Sequence, residues 1–246
     1  MMYFFHILGQ CVIEAVTLTC GLVMHRIRWQ LLWQQLFRFG VESMPIIVMS
    51  AVFTGSILTF QAYYSLAQFG SVEILGQLVG MSVHRELGPV MCALLLAGRA
   101  ASSCTAELIL MRETDQMSAL KVLGADLRQW IIYPRILGYW LANILLSCIF
   151  NAVALLTSAV LAVTKFSLEW DTYWSQMSQG VYFSPDITMW LSKSFIFGWV
   201  VAITMIHQGM HVRPSNEGMA SAVTRTVVIS STLILFMDMV VTSLSF

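Results

Sequence analysis

Charge is scarce in this chain: only 11% of its 246 residues are Asp, Glu, Lys or Arg, against roughly 25% in an ordinary soluble domain. A chain so poor in polar surface cannot cover itself in water. Basic and acidic residues balance at 13 each, so the electrostatic footprint of a nucleic-acid binder is missing, and no long acidic block marks a disordered tail. Lysine occurs only at Lys121, Lys165 and Lys193, and none follows a glycine. The phosphate-cradling G-x-x-x-x-G-K-[ST] loop is therefore absent, and any ATP must be hydrolysed on another chain. The five cysteines, Cys11, Cys20, Cys92, Cys104 and Cys148, lie far apart and mostly inside apolar runs, which reads as packing rather than a metal site. His207 and His211 stand four apart without the acidic companion of an H-E-x-x-H site, so they read as an interfacial pair and no metal is expected. No nucleophile, base and orienting group can be assembled into a catalytic cluster, so no enzyme activity is expected of the chain itself. Internal repeats are not evident, and residues 1–24 carry neither a basic stretch before the apolar part nor a cleavage site, so a cleaved signal peptide is not expected.

What is present is apolar length. Hydrophobic residues make up 58% of the chain and gather into runs over 44–67, 89–111, 136–163, 187–206 and 227–246, each near the roughly 20 residues a helix needs to span a bilayer. The fold class read from this is an all-α integral membrane protein with about five transmembrane helices. Residues 1–40 read as interfacial: His6, Gln10, Glu14, Thr17 and Gly21 form a narrow polar stripe at helical spacing, which suits a helix in the membrane interface or a tilted transmembrane one. Trp29, Leu32, Trp33 and Leu36 share a face of the next segment, with tryptophan at the pitch of a second interfacial helix. The prolines Pro45, Pro89, Pro134, Pro185 and Pro214 fall at or near the ends of these runs, where a missing N–H costs a helix least.

Nine basic residues, Arg26, Arg28, Arg38, Arg112, Lys121, Arg128, Arg135, Arg213 and Arg225, fall on one side of this topology, with Arg85 and Lys165 on the other. The positive-inside bias makes the first side cytoplasmic and leaves 166–183, with Trp170, Tyr173, Trp174 and Tyr182, as an outer, periplasmic segment. Lys193 is expected to snorkel toward the outer end of its span.

Polar residues inside the runs are the candidate functional positions. Ala93, Ala97, Ala101 and Thr105 form a small-residue ridge at four-residue steps, fit either for packing within one subunit or for a dimer seam. Arg99 lies near the middle of the second run, where an unpaired cation costs roughly 2.5 to 3.5 kcal/mol. Glu107 is about 12 Å further along the axis and out of direct reach, which leaves Asp238 as an expected mate; direct substrate contact is the other reading. Between 113 and 124 a short amphipathic cytoplasmic helix is expected, opened by Thr114 as cap with Asp115 complementing the dipole, and ended by Gly124 in the left-handed conformation.

Taken together, Phe39-Gly40-Val41-Glu42-Ser43, Arg85-Glu86-Leu87-Gly88-Pro89, Ala97-Gly98-Arg99, Ala106-Glu107, Met111-Arg112-Glu113-Thr114-Asp115-Gln116 and Thr224-Arg225-Thr226-Val227-Val228 leading to Asp238 resemble the MlaE family of ABC permeases from Gln35 onward. Members of that family move phospholipids between the inner and outer membranes of Gram-negative bacteria. The resemblance implies a homodimer in the inner membrane, an N-terminal interfacial elbow, and a coupling helix that docks on a separate ABC ATPase subunit carrying ATP and Mg²⁺. It assigns Glu113, Thr114, Asp115, Gln116 and Lys121 to that coupling, and it implies an MCE-domain protein (MlaD-like) and a STAS-domain protein (MlaB-like) as companions. It also implies a lipid pocket at the outer end of the first span and the Arg85-Glu86-Leu87 turn, with Leu58, Leu66 and Phe69 as apolar candidates. Asp115 replaces the glutamate usual in the coupling helix. An ion-coupled secondary transporter of an amphipathic substrate is the alternative reading, though it would normally show repeats and broken helices.

Overall fold

The structure is a computed structural model that describes residues 29–180 and 183–245; the polar-striped segment expected over residues 1–24 lies outside the described residues. All regular structure among the described residues is helical. A first helix α1 (Trp29–Gly40) turns through a single 3₁₀ turn, Val41–Ser43, into the first span α2 (Met44–Ala67), which carries Pro45 in its first turn. The face that α1 buries is Leu32 and Phe39, packed toward the third span, while Trp29 and Trp33 point outward. Tryptophans so placed suit the headgroup level.

The second span is longer than its apolar run. Helix α3 (Leu75–Ser82), α4 (Gly88–Leu96) and α5 (Ser102–Glu113) are joined through π-helical turns at Val83–Leu87 and Ala97–Ala101, so one helical stretch runs over Val72–Glu113. The Arg85-Glu86-Leu87 segment is thus not a turn between elements but a π bulge within a helix. Each π turn re-aims the side chains that follow, a device found often at functional positions. After the short α6 (Gln116–Val122) come the third span α7 (Tyr133–Phe166), an outer helix α8 (Trp170–Gly180), the fourth span α9 (Phe183–His211) and the fifth span α10 (Asn216–Ser245). Among the described residues, five stretches are long and apolar enough to cross a membrane.

Close approach explains which helices meet. On α2, a Cβ added at Gly55 would come within 2.4 Å of the Ala154 carbonyl oxygen on α7, so only glycine permits that crossing. One turn further on, the Thr59 and Ser158 hydroxyls lie 2.7 Å apart, and Ser158 also meets the Tyr173 hydroxyl at 2.6 Å. Lipid offers no hydrophobic drive between helices, so small residues and hydroxyl pairs of this kind hold them together. Tyr173 belongs to α8, which packs against α3, and burial pushes its phenol above the ordinary value of 10.0 while the Ser158 bond opposes the shift. The ridge Ala93, Ala97, Ala101 and Thr105 is wholly buried within the single chain. Intrasubunit packing therefore accounts for it, and Thr105 reaches the Thr226 hydroxyl on α10 at 3.1 Å.

Candidate functional site: an outer mouth, an inner docking helix and paired intramembrane charges

At the outer mouth the first π turn presents Arg85 to α9, where its Nε donates to Asp186 Oδ1 at 2.7 Å. The Asp186 side chain is only 2% exposed, so this pair fastens the second span to the start of the fourth. Gly88 follows at the foot of the bulge, where an added Cβ would overlap the Asn151 side chain on α7. Glu86 stands exposed beside the pair and Leu87 is half-buried. On α2, Leu58 and Leu66 are partly buried and packed on the core, whereas Phe69, in the turn that follows, projects with 79% of its surface free. Helix α2 packs against α3, whereas the Arg85 stretch meets α9 and α7. The apolar cavity of about 220 Å³ bordered by Trp33, Leu36, Phe37, Met44, Leu145 and Ile149 lies instead between α1 and α7, and none of the six mouth residues lines it. Asp186, the partner of Arg85, went unrecognised in the sequence. Its signal was available: an acidic residue in the first turn of an apolar run, on the same outer side as Arg85.

Among the intramembrane charges the expected pairing is corrected. Arg99 does not meet Asp238; its Nη1 donates to the Ser43 hydroxyl at 2.6 Å and its Nη2 to Glu42 at 3.3 Å. The reason is depth. Arg99 lies level with the joint between α1 and α2, where Ser43 and Glu42 stand, whereas Asp238 lies about two turns from the outer end of α10. Asp238 is taken by Lys193, whose Nζ lies 2.6 Å from Oδ1 and 2.7 Å from the Thr242 hydroxyl. Lys193 is fully buried, so it does not snorkel; its partner within the protein removes the need. Glu107 bridges two cations, Arg38 on α1 and Arg135 on α7 at 3.0 Å. It does not touch Arg99, as its axial distance required.

At the inner end α5 stops at Glu113, and Thr114 closes it rather than opening the next helix, its Oγ1 donating back to the Leu110 carbonyl at 2.8 Å. Asp115 takes a left-handed conformation (φ 55°), which turns the chain sharply into α6; no side-chain bond caps α6. Gly124 (φ 75°) closes α6 as expected: its N–H reaches the Lys121 carbonyl and the Ala125 N–H the Leu120 carbonyl, both at 3.0 Å, the two bonds of a Schellman motif. Met117 is buried against the body, while Glu113, Thr114, Asp115, Gln116 and Lys121 are exposed. Beyond them Val122 and Leu123 are 88% and 80% exposed. An apolar pair on a short, doubly stopped helix outside the spans is a feature the sequence pattern did not single out. Arg112 ties this tip to α9, donating to the carbonyls of Gly209 at 3.1 Å and Val212 at 2.6 Å, where a cation satisfies free carbonyls at a helix end.

The family model described as Permease MlaE matches residues 32–244. The chain belongs to the MlaE permease family. It is 35% identical, over 99% of its own length and 93% of the other, to the intermembrane phospholipid transport system permease protein MlaE of Haemophilus influenzae. A probable ABC transporter permease of Rickettsia bellii shares 28% identity over 97% of this chain and 92% of its own. The chloroplastic protein TRIGALACTOSYLDIACYLGLYCEROL 1 of Arabidopsis thaliana shares 28% identity over 90% of this chain and 63% of its own. The matched MlaE region takes in the outer mouth, all the intramembrane charges and α6.

Proposed function

We propose that the chain is the inner-membrane permease subunit of an ATP-driven ABC transporter that moves phospholipids between the inner and outer membranes and so maintains outer-membrane lipid asymmetry. The observation that carries this reading is α6: a short helix outside the spans, stopped at both ends and offering exposed Val122 and Leu123 to a partner, in a chain whose relatives are ABC permeases. A subunit without a nucleotide loop needs such a surface to receive the work of ATP hydrolysis. ATP and Mg²⁺ then belong to a separate ABC ATPase, which docks on Glu113, Thr114, Asp115, Gln116 and Lys121 as well as the apolar pair. Two permease copies form the membrane core, with an MCE-domain protein on the outer side and a STAS-domain protein on the ATPase. The lipid enters at the outer mouth, its acyl chains against Leu58, Leu66 and Phe69 and its headgroup near Arg85, Glu86 and Leu87. The relatives' names favour this over an ion-coupled secondary transporter.

The test is co-purification and reconstitution with its cognate ABC ATPase. Val122→Asp combined with Leu123→Asp is expected to weaken ATPase capture at least tenfold, the scale of about 1.4 kcal/mol for two displaced apolar anchors, while the thermal midpoint of the permease stays unchanged. Lipid movement that persists without any ATPase, driven by an ion gradient, would overturn the reading.

A further inference from the structure

Arg99 and Arg38 line a second, polar cavity at the basic end of the molecule. It has a volume of about 140 Å³ and lies between the α1–α2 joint and the second span, bordered by Arg38, Phe39, Glu42, Arg99, Ala100 and Ser103. Both guanidiniums are held from behind: Arg99 by the buried Ser43 hydroxyl, Arg38 by Glu107. Glu107 in turn is shared with Arg135, whose side chain is 6% exposed and whose Nε and Nη1 have no hydrogen-bond partner. Three guanidiniums thus face two carboxylates, Glu42 and Glu107, and the cluster retains one positive charge. Within a membrane protein an uncompensated cation demands an anion or water. The cavity is accessible from outside the chain, with Ser103 exposed at the rim.

We propose that this cavity is an anion site that takes a phosphate group, with the headgroup of a phospholipid in the cytoplasmic leaflet as its occupant. Planar guanidinium forks match phosphate oxygens in pairs, and the excess charge selects an anion over a zwitterion's ammonium. The site stands apart from the outer mouth and shares no residue with it. It gives the chain a second lipid-handling position, at the opposite end of the bilayer, and does not depend on coupling to an ATPase.

The full chain, purified in dodecyl maltoside, is titrated with phosphatidylglycerol and the bound lipid per chain is counted by native mass spectrometry, in the presence and absence of millimolar inorganic phosphate. Ser103→Glu adds an anion at the rim without removing an ion pair; it is expected to weaken retention of one phosphatidylglycerol per chain about tenfold, the scale of one charge-assisted hydrogen bond. Arg99→Gln is expected to do the same, and Ser103→Ala to change it less than twofold. Retention unaffected by inorganic phosphate assigns the site to the lipid headgroup, whereas displacement by inorganic phosphate alone keeps the anion site and makes free phosphate its occupant. If Ser103→Glu and Arg99→Gln, both folded, retain the lipid as the unmodified chain does, the proposal fails. Because no transport is read, that failure is distinct from any failure of the permease assignment.

Discussion

Lys193 shows how a single residue's neighbours decide its meaning. A lysine deep in an apolar helix invites a snorkelling interpretation, yet its ammonium sits between Asp238 and Thr242. Removing one partner strands the other's charge. Lys193→Met is therefore expected to cost about 3 kcal/mol, the lower end of the range for breaking a buried pair because the Asp238 carboxylate keeps 25% exposure. Lys193→Met with Asp238→Leu should recover most of that loss, as measured by thermal unfolding in detergent; a double variant no better than the single one would refute the pairing. The pairing was partly legible in advance: both charges lie two to three turns from the outer ends of their helices. What misled was Arg99, whose partners Ser43 and Glu42 stand at the joint between α1 and α2, outside every apolar run. Sequence reports which charges must find partners, and a search confined to the runs passes over partners at the joints between them.

At the scale of elements, the spans were readable because apolar length is a one-dimensional property: the run at 44–67 and the helix Met44–Ala67 coincide. Helices α3 and α8 were not. Their sequences mix polar, aromatic and glycine residues and carry no bilayer-length run, and they are fixed by each other across nearly a hundred residues of chain. Gly76 of α3 lies under the Tyr173 carbonyl, and Gly180 of α8 under the Gln77 side chain; such mutual fit has no local signature. Helix α6 was legible in outline through Gly124, but its entry was misassigned, because threonine and aspartate side chains serve equally to finish one helix or to begin another. The α2–α7 crossing gives a sharp expectation. Gly55→Ala should destabilise the chain by about 1 to 3 kcal/mol, since the opposing atoms are backbone and cannot rotate away. Gly98→Ala, with open space around it, is the matched control, and equal thermal midpoints for the two variants would show that the helices do not cross so closely.

At the scale of the whole molecule, the five apolar stretches among the described residues place Arg38, Arg112, Lys121, Arg128, Arg135, Arg213 and Arg225 together at one end, the end that the charge bias assigns to the cytoplasm. A membrane-impermeant maleimide should then label Phe69→Cys from the periplasmic face and Val122→Cys only once the inner membrane is opened. Both side chains are well exposed, so labelling of the two from the same side would invert or break the topology.

Helix α9 touches both ends of this arrangement. Its outer first turn carries Asp186, the anchor of Arg85, and its inner carbonyls are gripped by Arg112 next to α6. With 29 residues it is about 43 Å long, and an unbroken helix of that length resists compression far better than it resists tilting. A push on α6 would accordingly swing the helix like an oar in its lock, and the Arg85–Asp186 pair at the far end would feel the stroke without any relay of side-chain rearrangements between them.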